Sequence, residues 1–131
     1  METILNNYEM MLIAPMSAPE DALASSFSTL QETIESAGGS LLIKDDWGRI
    51  RMAYPIRKQR VAQYFLLEYA APSSVPLELE RLVRFDDKNF LRFLTVRLAE
   101  NVSDIEQLKS DAEARAEARR EKVASIKQEN I

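Results

Sequence analysis

Tyr8-Glu9-Met10-Met11-Leu12-Ile13-Ala14, closed by Pro15, is the stretch on which the fold turns. It is a short, nearly continuous apolar run, and it reads as a strand with apolar side chains on both faces. A strand of that kind belongs in the middle of a sheet. Pro19 then suits the first turn of a helix, and Glu20 and Asp21 favour the positive end of its dipole. Leu23, Phe27, Leu30 and Ile34 recur at helical spacing as one apolar stripe. Gly38-Gly39 stops the helix, because glycine takes the left-handed cap conformation without penalty.

Ser40 to Tyr54 reads as a long strand, bent near Asp46-Trp47-Gly48, where a glycine inside a strand pattern signals a bulge. Pro55 ends its regular pairing, and Arg57 to Ala62 reads as a polar loop. Gln63 to Ala70 is a second rich apolar strand. Ser74 and Pro76 open a second helix with Leu79, Leu82 and Val83 inward, and Asp86-Asp87-Lys88-Asn89 ends it. Phe90 to Leu98 is the last strand. The order β-α-β-β-α-β predicts an α+β, ferredoxin-like fold, a four-stranded antiparallel sheet with two helices on one face. The two most continuous apolar runs are its first and third strands, which that topology places in the centre. The second and fourth are edges, and they carry Arg49, Arg51, Arg92 and Arg97.

Residues 1–99 are expected to form this domain and residues 100–131 a charged C-terminal extension, helical or disordered. Alanine, glutamate, lysine and arginine dominate the extension, so helix propensity is high. Its apolar stripe, Ile105, Leu108 and Ala112, is thin, and the expectation is a frayed helix, mobile in isolation.

Much chemistry is excluded. The chain has no cysteine and no histidine. Disulfides, thiolate metal sites and the commonest general base are therefore out of reach. Asp45-Asp46 and Asp86-Asp87 sit beside turns, where aspartate is commonplace. Neither a catalytic set, a metal site, a cofactor nor a small-molecule substrate is expected. No apolar run approaches the roughly 18 residues of a membrane span. Met1-Glu2-Thr3-Ile4 has no signal-peptide pattern, and the expected compartment is the cytoplasm.

The formal net charge is −4, yet residues 44–60 gather Lys44, Arg49, Arg51, Arg57, Lys58 and Arg60 against Asp45 and Asp46. Arg49 and Arg51 lie two apart on a strand and so share a face. Guanidinium forks arranged this way grip phosphates, although a solvated edge strand with protective charges has the same composition. The third strand lacks the aromatic core of the usual RNA-recognition motif, and no GxxG clamp is present. Backbone contacts to a folded RNA are the stronger expectation. Arg49, Arg51, Arg57, Lys58 and Arg60 are the first candidates, followed by Arg92 and Arg97. Met11, Ile13, Phe65, Leu67 and Phe93 are expected on the sheet face without helices, as a protein-partner patch. The alternative is that the extension folds over that face. Tyr54 and Ile56 shape the strand exit or meet the partner, with Tyr54 in the core as an equal alternative.

Three segments resemble the sixth-protein family of the bacterial small ribosomal subunit. They are Tyr8-Glu9; Asp46-Trp47-Gly48-Arg49 running into Met52-Ala53-Tyr54-Pro55-Ile56 and Lys58; and Arg84-Phe85-Asp86-Asp87 leading to Leu91-Arg92 and Val96-Arg97. The resemblance covers about residues 7–98. It implies a non-catalytic, ribosome-associated protein that pairs with the eighteenth small-subunit protein and binds the central domain of small-subunit (16S) ribosomal RNA. Relatives commonly place two adjacent arginines after the glycine, whereas Ile50 separates Arg49 from Arg51 here. Some relatives end in an enzymatically extended glutamate run, which Glu129-Asn130-Ile131 does not offer. A ferredoxin-like regulatory or ligand-binding module that homodimerises through its sheet is the alternative function.

Overall fold

The computed structural model describes residues 4–129, with side chains to residue 127. The termini bearing on a leader or a terminal modification, Met1-Glu2-Thr3 and Asn130-Ile131, lie outside the described residues. The elements are β1 (Leu5–Pro15), α1 (Glu20–Ser36), β2 (Ser40–Ile56), β3 (Gln59–Ala71), α2 (Val75–Phe85), β4 (Arg92–Val102) and α3 (Ile105–Glu129). The sheet order is β2-β3-β1-β4, with every neighbouring pair antiparallel. The two apolar runs are the central strands, and β2 and β4 are the edges, as the ferredoxin-like topology requires.

Alternation along the strands splits the side chains between two faces. Tyr8, Met10, Leu12 and Ala14 of β1 and Phe65, Leu67, Tyr69 and Ala71 of β3 pack beneath the helices. The α1 stripe Leu23, Phe27, Leu30 and Ile34 meets them, with Val75, Leu79 and Val83 of α2. Phe27 stands 4.9 Å from Phe65 and 5.9 Å from Phe90 by ring centroids. Phe65, Leu67 and Phe93 are therefore not on the open face. Phe65 and Phe93 both pair with Leu12, and Leu67 pairs with Met10, so all three share the helix side. A strand apolar on both faces carries no contrast to fix its register, and an error of one residue inverts every assignment. Met11 and Ile13 do lie on the open face, opposite Leu66 and Tyr64.

Two glycines are set by geometry. A Cβ on Gly39 would come 2.5 Å from the Ala70 carbonyl oxygen, so α1 and β3 could not approach as closely. Gly48 has φ +72 at a register shift in the β2–β3 ladder, and its N–H donates to Asp46 Oδ1 at 2.7 Å. This is the predicted bulge. The predicted loop from Arg57 to Ala62 is instead strand from Gln59 onward. Arg57 and Lys58 alone make the turn, with φ 48 and 66. Charged residues there hid a turn that usually announces itself as Asn-Gly.

The extension is one continuous helix docked on the open face, contrary to the frayed expectation. Its own Ala112, Ala116 and Val123 are buried, and Ala112 packs with Leu42 and Ala70. Glu68, wholly buried on the central strand β3, anchors it. Arg115 pairs with Glu68 at 2.5 Å, and Arg119 pairs with Glu68 at 3.3 Å and Glu9 at 3.0 Å. Arg120 pairs with Asp45 at 2.9 Å. The hydrogen bond that Arg115 donates to Glu68 raises the arginine's pKa further, so the guanidinium stays charged. The thin apolar stripe was legible; the carboxylates waiting across the sheet for the arginines were not. α3 lies chiefly along β2 and reaches β1 through the Arg119–Glu9 pair, so much of the β1–β4 half of the open face remains uncovered. Leu94 is 61% exposed and Val96 44%.

Two outcomes are expected. Replacing both Arg115 and Arg119 with alanine leaves the Glu68 carboxylate without its cations, with only the Asn7 amide donating to it. Charge-assisted hydrogen bonds contribute about 1.5–3 kcal/mol. Hydrogen exchange across α3 should therefore accelerate at least about tenfold while β1 and β3 keep their protection. Tyr69 is fully buried, and its hydroxyl has no hydrogen-bond partner among the described residues. Burial, then repulsion by Tyr8 and Glu80, holds its phenol well above the ordinary range. A raised folded-state pKa gives stability that is complete below the unfolded value of about 10 and is lost as pH rises above it. Tyr69→Phe should flatten that alkaline loss in urea titrations and leave stability at pH 7 unchanged or raised by about 1 kcal/mol.

Candidate nucleic-acid interface

The β2–β3 hairpin runs past the end of β1, since Pro15 pairs with Ala62 while the hairpin continues to Gln59. Its arm has little to pack against, and Arg51, Ala53, Tyr54, Arg57, Lys58 and Arg60 are all exposed. Tyr54 is 82% exposed, which excludes it from the core. Ile56 is half-buried beside the turn.

The turn is the costliest part of this arm. Side chains with a Cβ resist the left-handed region by about 1–2 kcal/mol each, and a two-residue hairpin turn of this hand favours Asn-Gly. Here the two positions hold Arg57 and Lys58. Arg57 then reaches across the molecule and donates from an Nη to the Asp87 carbonyl oxygen at 2.9 Å. That bond ties the arm to the loop after α2.

Apart from Arg97, the predicted basic residues fall into three groups. Arg51, Lys58 and Arg60 are exposed on the arm. Arg51 pairs with Val61 and Arg49 with Gln63, so both arginines do project to one face, the helix side. Arg49 lines a cleft of about 580 Å³ with Lys44, Asp46 and Glu20 at the start of α1. Lys44 Nζ lies 4.5 Å from the Phe27 ring centroid. Arg57 and Arg92 line a second cleft, of about 240 Å³, between the turn, α2 and β4. Arg97 stands apart and pairs with Glu100 at 2.8 Å. Arg84 also lines the second cleft and was missed as a site residue. Its signal was available in its position in the last turn of α2, immediately before the Asp86-Asp87 loop that leads to Arg92.

Trp47 is turned to structure. It lines a crevice with Arg120, Val123 and Lys127 of α3, and its Nε1 donates to Asp45 at 3.2 Å. Among the described residues no cluster of three or more acidic side chains is grouped to hold a metal ion. No described helix is long and apolar enough to cross a membrane.

The sequence profile described as Ribosomal protein S6 matches residues 7–97, from β1 into β4. The chain belongs to the ribosomal protein S6 family. It is similar to small ribosomal subunit protein bS6 of Nitratidesulfovibrio vulgaris (strain DP4), 37% identical over 101 residues covering 77% of this chain and 99% of that protein. The bS6 protein of Desulfatibacillum aliphaticivorans is 33% identical over 114 residues, covering 87% of this chain and 60% of that protein. The crystal structure of ribosomal protein S6 from Thermotoga maritima has the same fold, with a TM-score of 0.65 at 21% identity, covering 85% of this chain and 98% of that one. The S6 family is structural and non-enzymatic, which makes this chain a ribosome-associated protein of the small subunit, working in the cytoplasm. The family match stops short of α3.

The turn gives a direct expectation. Changing Arg57→Asn together with Lys58→Gly relieves two left-handed side chains and should raise unfolding free energy by about 1 kcal/mol or more in urea titrations. The arm should stay a hairpin by circular dichroism.

Proposed function

We propose that this chain binds the central domain of 16S ribosomal RNA through its β2–β3 arm, as one half of a pair with the eighteenth small-subunit protein. The observation that carries the reading is the turn. Positions that backbone energetics would give to Asn-Gly hold Arg57 and Lys58 at the tip of an arm carrying Arg51 and Arg60. Strain kept at a site and filled with cations points to a use for the charge. Side chains on a projecting arm reach phosphates that a compact surface would not.

The acidic total is consistent with this. Among the carboxylates, Glu9, Asp45 and Glu68 are neutralised by α3, whereas the arm presents its cations unpaired among the described residues. The protein partner's proposed seat is the uncovered β1–β4 half of the open face, where Met11 and Ile13 adjoin Leu94 and Val96. Tyr54 and Ile56 extend that proposal to the arm.

A gel-shift titration with a central-domain RNA fragment, with and without the eighteenth protein, tests the reading. Tight, salt-sensitive binding that needs the partner is the expected result. Arg49→Ala and Lys58→Ala should each lower the salt slope by about one phosphate contact. No binding under either condition, with the chain a homodimer in solution, would favour a sheet-pairing regulatory module instead.

A further inference from the structure

Three arginines from separate elements border one cleft. Arg57 comes from the β2–β3 turn, Arg84 from the last turn of α2 and Arg92 from the first residue of β4. They line one cleft of about 240 Å³ floored by Phe90 and Phe93. Two of the three are held in place. Arg57 is fixed by its bond to the Asp87 carbonyl, and Arg84 lies 5.4 Å from the Phe93 ring centroid, a cation–π distance. Among the described residues, none of the three forms an ion pair with a carboxylate. Asp87 contributes the one acidic side chain of the lining, and its carbonyl, rather than its carboxylate, takes the Arg57 bond.

A cation in the last turn of a helix is favoured by the helix dipole, which accounts for Arg84 alone. It does not account for Arg57, whose strained turn aims it at the same place, or for Arg92. The arginines outnumber the single Asp87 carboxylate of the lining, like charges repel one another, and an anion in the cleft removes that cost. The space is smaller than the roughly 300–1,000 Å³ of small-molecule sites, so it suits one anionic group rather than a whole ligand.

We infer that the cleft between the β2–β3 turn, α2 and β4 seats a single phosphodiester of the RNA backbone, held by Arg57 and Arg84 with Arg92 at its rim. This rests on the RNA-binding reading and deepens it. Arg57 spends one donor on Asp87, and guanidinium groups carry five, so each arginine retains donors for a phosphate oxygen. The seat would fix how the arm lies on the RNA, whereas the exposed cations of the arm supply attraction without register.

The test uses the full chain with the eighteenth protein and the central-domain 16S fragment. Arg84→Gln should lower the salt slope of binding by about one, and Arg81→Gln, on the same helix but paired with Glu78, should not change it. A methylphosphonate scan of the RNA backbone should find one position whose neutralisation weakens the wild-type complex but not the Arg84→Gln or Arg57→Gln complex. Thermal unfolding of each variant checks that the fold is intact. An unchanged slope for Arg84→Gln while the wild type binds would overturn the seat and leave the RNA reading standing. So would losses from Arg57→Gln and Arg84→Gln that map to different phosphates. Failure of the wild type to bind would overturn the RNA reading, and the seat with it.

Discussion

A four-stranded sheet has two faces, and two helices cover only one of them. That constraint organises the rest of this molecule. The central strands are apolar on both sides, and the second face needs a cover or a partner. In this chain a third helix takes half of it. It does so with little apolar area, Ala112, Ala116 and Val123, and with arginines aimed at carboxylates embedded in the sheet. Glu68 is the pivot of that arrangement, since the helix that buries its carboxylate must also bring the cations that neutralise it. Cover and counter-charge therefore arrive on one element.

The half that α3 leaves open and the arm that overruns β1 are the two places where the fold is unfinished. One is apolar and one is basic, which suits two partners of different chemistry. The arm's stability is sacrificed at Arg57 and Lys58, and its position is recovered through the bond to Asp87. The same bond brings Arg57 to Arg84 and Arg92. A local cost in the turn thus yields a basic surface spanning both edges of the sheet.

How much of this the sequence disclosed depends on the kind of signal. Period and punctuation were plain: the β-α-β-β-α-β order, the bulge at Gly48, the glycine stop after α1 and the identity of the edges all followed from local chemistry. Face assignment failed at Phe65, Leu67 and Phe93, because a strand apolar on both sides has no contrast to set its register. The Arg57-Lys58 turn was unreadable because its residues are the wrong ones for its backbone. The docking of α3 depended on pairs such as Glu68 with Arg115, 47 residues apart, which no local pattern reveals. Arg84 was visible as a residue and invisible as a neighbour of Arg57 until the arm was folded back.

The chain has no cysteine, so a single introduced thiol can carry a tethered iron chelate at one defined point. With Ala53→Cys on the arm and Gln31→Cys on α1, both exposed, hydroxyl-radical cleavage of the central-domain RNA in the assembled complex tests the central claim most directly. The account predicts a compact cluster of cuts from position 53 and none from position 31. Cuts from position 31 with none from position 53 would contradict it, because the RNA would then lie against the helices and not the arm.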